Sequence, residues 1–283
     1  MRVAILTDTN SGIMTQEAEQ LSVFVVPMPF FIDGQLYFEG VNLTQEEFFV
    51  KQAAGAEIST SMPSPADVMK KWDDLLETYD QVVYLPMSSG LSSSCDTASS
   101  LAQDYEGKVF VVNNRRISVP LREAVCNAVH LAETGRDGAE IKKILEEDAL
   151  NAHIYLMVST LKYLKKGGRV TPAAALIGTA LNIKPILSIN GGKLDAFAKV
   201  RGTKQAEQKL IEATREEIQK LNGAEYTIGV AYSGDAEAGQ KWLHKVQEAF
   251  PGHDIVCDPL GLSIACHTGP GAYGIACIKK LNA

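Results

Sequence analysis

The sequence predicts an α/β protein of two α/β domains. Residues 1–157 form an N-terminal domain with a mostly parallel sheet flanked by helices; residues 158–283 form a C-terminal domain with a mixed sheet and helices. Three observations carry this. Short apolar runs alternate with helical patterns through the first half of the chain, the signature of a parallel sheet covered on both faces. A hairpin signal, Asn190-Gly191-Gly192, interrupts that alternation in the second half and requires a mixed sheet there. The 283 residues, 46% of them hydrophobic, are long enough for two cores.

Each element follows from local chemistry. Apolar runs at 3–6, 23–26, 82–85, 109–112 and 154–158 read as buried strands. A helix over 44–52 opens with a Thr44/Glu47 capping box. The next, over 65–79, has Ser64 as N-cap, Pro65 in first position and Asp67 in the first turn. Helices follow at 93–103, 119–134 and, after Gly135, 137–150. In the second half, strands at 186–189 and 193–200 flank the hairpin turn. A long helix at 203–221, a strand at 226–232, a helix at 236–250 and strands at 254–257 and 273–278 complete the pattern.

Composition narrows the function. Lys+Arg 27 against Asp+Glu 34 gives a net charge of −7, with no basic tract beyond Arg115-Arg116 and Lys165-Lys166. Nucleic acid is therefore excluded as the main partner, since phosphate binding needs clustered positive charge. The first apolar run is too short for a signal peptide and reads as a strand. No run approaches the ~20 apolar residues of a membrane span: 23–32 is broken by Pro27 and Pro29, and 173–189 by Asn182, Lys184 and Pro185. That leaves room for transient membrane contact only. Cys95, Cys126, Cys257, Cys266 and Cys277 contain no C-x-x-C pair and suit thiols in a reducing, cytoplasmic setting. His130, His153, His244, His253 and His267 show no metal-ligand spacing, so neither a metal nor a cofactor is expected.

Two serine-rich segments carry the strongest chemical signal. Thr60-Ser61-Met62-Pro63-Ser64 and Ser88-Ser89-Gly90-Leu91-Ser92 each put small hydroxyls and free backbone N–H groups in a loop. The second follows the apolar run at 82–85, where ligands of open parallel sheets collect. Such loops are also common as plain turns and caps; together they suggest a site for an anion or polar head. In the second half, Lys165-Lys166-Gly167-Gly168-Arg169-Val170-Thr171-Pro172 reads as a glycine-rich basic turn feeding a helix capped by Thr171 and Pro172. Residues 173–181 are small and aliphatic, so that helix must be buried or line an apolar cavity. Arg169 at a helix start opposes the dipole unless aimed at an anion or at carbonyls. His267-Thr268-Gly269-Pro270-Gly271-Ala272 reads as a rigid turn presenting one histidine.

Taken with Asp8-Thr9 and Asn182-Ile183-Lys184-Pro185-Ile186, these motifs resemble the DegV family, in the right order over essentially the whole chain. The resemblance implies a two-domain protein holding a long-chain fatty acid in a tunnel between the domains. It also implies a carrier rather than an enzyme, the acyl-binding subunit whose bound carboxylate a separate fatty acid kinase phosphorylates. The matching positions place Thr60 and Ser92 on the carboxylate, His267 in the same hydrogen-bond network and Arg169 supporting His267. The chain departs from the family pattern at Ser93-Ser94-Cys95, where Gly-Thr is usual, and at Asn113-Asn114-Arg115-Arg116, where an Asp-Ser pair is usual.

Two other readings compete. Ser92, His267 and Asp8 could serve as nucleophile, base and orienter of an acyl hydrolase, although the chain lacks G-x-S-x-G. A lipid-sensing regulatory module is the third. A kinase is excluded for want of a phosphate-binding glycine loop.

Overall fold

The computed structural model describes residues 1–175, 182–253 and 255–281. Two compact units result, Met1–Leu150 and the chain from Asn151 on. The division falls earlier than the expected 157/158 because the strand Ala152–Met157 pairs on both sides with strands of the second unit.

The first unit runs β1 (Val3–Asp8), α1 (Thr15–Gln20), β2 (Val23–Val26), β3 (Pro29–Ile32), β4 (Gln35–Phe38), α2 (Gln45–Ala53), β5 (Ile58–Thr60), α3 (Pro65–Leu76), β6 (Gln81–Leu85), α4 (Ser94–Leu101), β7 (Val109–Val111), α5 (Val119–Glu133) and α6 (Gly138–Glu147). Its main sheet has the order β2-β1-β6-β7, parallel throughout. Alternate strand residues serve opposite faces. Leu6, Tyr84 and Val111 pack with Val68 and Trp72 of α3 and with Cys95 and Ala98 of α4. Helices α5 and α6 lie against β1, β6 and β7 and bury Leu121, Val125 and Ile141. The Thr44/Glu47 capping box and the Ser64 cap both form, Ser64 Oγ accepting from Asp67 N at 3.1 Å.

A second, antiparallel sheet of order β4-β3-β5 was not anticipated. Its hairpin turns on Asp33-Gly34, with φ 50° and 78°, the left-handed pair that a two-residue turn of this hand requires. The sheet seats Thr60 opposite Phe30.

The second unit contains β8 (Ala152–Met157), α7 (Lys162–Gly167), α8 (Pro172–Ala175), β9 (Ile183–Ile189), β10 (Asp195–Arg201), α9 (Thr203–Lys220), β11 (Tyr226–Tyr232), α10 (Ala236–Ala249), β12 (Ile255–Pro259), α11 (Leu262–Thr268) and β13 (Tyr273–Lys279). The sheet order is β10-β9-β8-β13-β11-β12; only β11 and β12 run parallel. The hairpin at Asn190-Gly191-Gly192 joins antiparallel β9 and β10. Leu210 and Ala213 of α9 and Trp242 and Val246 of α10 pack on Tyr155, Ile186, Val230 and Ile275. Of the apolar helix expected over 173–181, residues 176–181 lie outside the described residues, as does Asp254 of the strand expected at 254–257.

Candidate functional site

Because the main sheet of the first unit is parallel, β1, β6 and β7 end along one edge, where the loops that follow are tied to each other. Asp8 closes β1 and is fully buried. Its carboxylate accepts from Met87 N at 2.9 Å, Asn10 N at 2.9 Å and Asn10 Nδ2 at 2.8 Å. Burial nevertheless pushes its pKa up to about 6, against those donors. Both oxygens are thus engaged, and Asp8 fastens β1 to the loop after β6 rather than standing ready to orient an imidazole.

The serine loop after β6 folds back on Ser88. Leu91 N and Ser92 N donate to Ser88 O, Gly90 N donates to Ser88 Oγ, and Ser88 N donates to Arg116 O. Ser94 N donates to Ser92 Oγ at 3.2 Å, and the Ser92 and Ser94 hydroxyls share a 2.7 Å hydrogen bond. This corrects the expectation of free loop amides. The turn uses these N–H groups to hold its own shape.

The other hydroxyl loop approaches from β5. Thr60 ends that strand half-buried, and Ser61 N donates to Pro29 O. Ser93 Oγ lies 3.6 Å from Met62 Sδ. Met62, Pro63, Tyr84, Ser94 and Thr97 line a cavity of about 10 Å³ between the loops, room for one water. Within the first unit, then, the segments bearing Thr60 and Ser92 meet.

The segment after β7, which departs from the family pattern, buttresses the serine loop. Asn113 Nδ2 donates to Ser89 Oγ at 2.8 Å, and Arg116 N to Asn114 Oδ1 at 2.8 Å. Arg116 is not part of a surface basic tract. It is 2% exposed and donates through Nη2 to Asp148 Oδ2 at 2.7 Å and to Asp148 O at 2.6 Å. The sequence signal available was the Asn-Asn pair directly after a strand.

In the second unit, Arg169 and His267 converge on Gly167. The Lys165–Gly167 stretch is helical, ending α7, with Gly168 in the left-handed conformation behind it; it is not an open turn. Arg169 Nη1 donates to Gly167 O. Its charge therefore faces the carbonyl end of α7, where a cation is favourable. His267 lies in the last turn of α11 and not in the turn that follows, and its ring rests against Gly167. Burial first, and the Arg169 guanidinium second, hold its pKa down to about 4. His267 is thus neutral at pH 7, with a single ring N–H. Thr171 Oγ1 accepts from Ala174 N, the cap expected for α8.

Among the described residues, no group of His, Cys, Asp or Glu is placed to hold a metal, and no helix is long and apolar enough to cross a membrane. Burial raises the Cys95 thiol to about 11 and Cys277 to about 12, which leaves both unreactive at neutral pH.

The architecture, two α/β units with hydroxyl loops in the first and a histidine–arginine pair in the second, matches a class already known from solved proteins. The sequence model of the DegV family matches residues 2–280, and the chain belongs to that family. A DegV domain-containing protein of Deinococcus radiodurans is 33% identical, with 100% of both chains covered; one of Streptococcus pneumoniae is 31% identical, over 99% of this chain and 100% of that one. Among solved structures, a DegV family protein from Thermus thermophilus, described as fatty acid binding, is 32% identical. It covers 99% of this chain and 100% of its own, with a TM-score of 0.90. A fatty acid binding DegV family protein from Streptococcus agalactiae is 29% identical, with 99% of both chains covered and a TM-score of 0.88.

Proposed function

We propose that this protein binds a long-chain fatty acid and presents its carboxylate to a separate fatty acid kinase for conversion to the acyl phosphate. Thr60 and Ser92 receive the carboxylate together with His267, and Arg169 supports His267. The observation that carries this reading is the half-buried His267, its ring against Gly167 and its charge suppressed by burial and Arg169, in a chain whose solved relatives at similar length are described as fatty acid binding. A carboxylate leaving water needs donors, and two hydroxyls with an imidazole N–H supply them. Arg169 is engaged with the Gly167 carbonyl. It therefore acts on the head group through His267 and not as a bidentate clamp, so the carboxylate is held loosely enough to react. The chain supplies affinity: at ~0.8 kcal/mol per buried methylene, about fourteen methylenes offer about 11 kcal/mol before association costs.

Protein purified from bacteria is expected to carry about one long-chain fatty acid per chain, read by native mass spectrometry and organic extraction. If extraction yields no acyl chain and the protein takes up none when offered, the reading is wrong. Adding a fatty acid kinase and ATP then tests presentation directly, through acyl phosphate formation.

Thr60→Val and Ser92→Ala are each expected to weaken the head-group interaction by roughly 1–3 kcal/mol, with phosphorylation suffering more than binding. Fatty acid affinity and kinase-dependent turnover measured side by side check this. Ester hydrolysis by the isolated protein, abolished in Ser92→Ala, would instead establish the hydrolase.

A further inference from the structure

Helices α7 and α11 are interlocked by two rings seated on two glycines. A Cβ built on Gly167 of α7 would lie 2.1 Å from Nδ1 and 2.7 Å from Cε1 of His267 in α11. A Cβ on Gly269, which follows α11, would lie 2.3 Å from Cδ2 and 2.5 Å from Cε2 of Tyr163 in α7. Each element thus accepts a ring from the other where a side chain is missing.

The two glycines are needed for different reasons. Gly269 has φ 72°, a backbone that disfavours any side chain whatever the space. Gly167 is a helical residue outside the positive-φ set, where alanine is intrinsically the better residue. Nor is it the cap, because Gly168 at φ 68° fills that role. The three atoms that a methyl group at position 167 would meet first all belong to the imidazole. The Gly167 carbonyl also accepts from Arg169 Nη1.

We infer that Gly167 is the positioning residue for both His267 and Arg169, its bare α-carbon serving as the floor for the imidazole and its carbonyl as the anchor for the guanidinium. This rests on the reading of His267 and Arg169 as carboxylate-site residues. It goes further by assigning their mutual placement to a third residue, one without a side chain. A methyl group at 167 cannot be absorbed at the backbone, because both partners sit in helices. The ring must leave its seat, and the environment that keeps it neutral goes with it.

The test uses the full chain, palmitate as probe, and the His267 ring resonances followed by NMR against pH. Gly167→Ala is expected to move the His267 pKa from about 4 toward about 6.5. It should weaken palmitate binding about tenfold, matching His267→Ala, as the loss of one head-group donor implies. The rescue is specific. In a His267→Gly background the obstacle is absent, so adding Gly167→Ala should cause no further loss of binding and should raise Tm. If Gly167→Ala alone does not fold while the double variant does, the collision is identified all the same. A wild-type titration and wild-type affinity in Gly167→Ala would overturn the inference. So would a double variant destabilised by the sum of both changes. Should wild-type protein bind no palmitate, the carrier reading fails, whereas the titration still decides the role of Gly167.

Discussion

Asp148→Ala is expected to destabilise the first unit by about 3–5 kcal/mol, the usual cost of leaving a buried ion without its partner. Arg116 is 2% exposed, and the Asp148 side chain is 6% exposed. The guanidinium relies on Asp148 alone among the described residues: Nη2 reaches both its carboxylate and its carbonyl, while Nε and Nη1 make no hydrogen bond. Removing the carboxylate strands a cation that water cannot reach. The double change Arg116→Met, Asp148→Ala removes the charge as well and should recover most of the loss, because apolar replacements of buried ion pairs are often neutral or stabilising. Urea denaturation of the three variants checks this through the midpoint at constant slope. A loss below about 1 kcal/mol for Asp148→Ala would mean that the pair behaves as a surface one. The loss should also be felt at the serine loop, since the Arg116 carbonyl accepts from Ser88 N.

That pair is invisible in the sequence. Arg115-Arg116 scans as a surface basic tract because sequence alone carries no burial, and Asp148 lies 32 positions away. Elements with strong local chemistry were legible to within a residue or two. The Thr44/Glu47 box and the Ser64-Pro65-Asp67 start each satisfy backbone groups by themselves, and Asn190-Gly191-Gly192 turns β9 back into antiparallel β10. The short strands β3 to β5 were not, because Pro27 and Pro29 were weighed only as breaks in an apolar run. The Asp33-Gly34 turn that pairs β3 with β4 was overlooked. Likewise the end of α11, His267-Thr268, looks like part of the turn that follows, since Gly269, Pro270 and Gly271 dominate the local pattern and a seven-residue helix gives little periodicity.

The candidate site divides in the same way. Hydroxyls in loops after strands are visible as composition, which is what marks the two serine-rich segments; within them Thr60 and Ser92 are singled out by the family resemblance. Whether the amides beside them are free depends on how the loop closes, and Ser88 closes it. Arg169 and His267 were paired through the family resemblance. Their common contact, Gly167, could not be read as such, because a glycine written Gly-Gly at a helix end looks like a cap twice over, while only Gly168 adopts the capping conformation.

Loading the protein with a fatty acid is expected to raise the His267 pKa by about 1–3 units, the shift that an opposite charge within hydrogen-bonding range produces. The protein's own groups hold it down to about 4, burial first and then Arg169. The sign has a consequence for stability. A histidine depressed below its ordinary value of ~6.5 leaves the unfolded chain binding more protons between pH 6.5 and 4, so its contribution to stability falls as pH drops through that window. A bound carboxylate offsets that loss, so the ligand-free protein should lose stability faster than the loaded one between pH 6.5 and 4. Arg169→Ala should raise the ligand-free pKa, since one of the two depressing causes is gone. NMR titration of the His267 ring, with palmitate and with the alcohol of the same chain length, separates head group from chain. The acid should raise the pKa and the alcohol should not. Equal pKa values with acid and alcohol would place the carboxylate away from His267 and remove the histidine from the site.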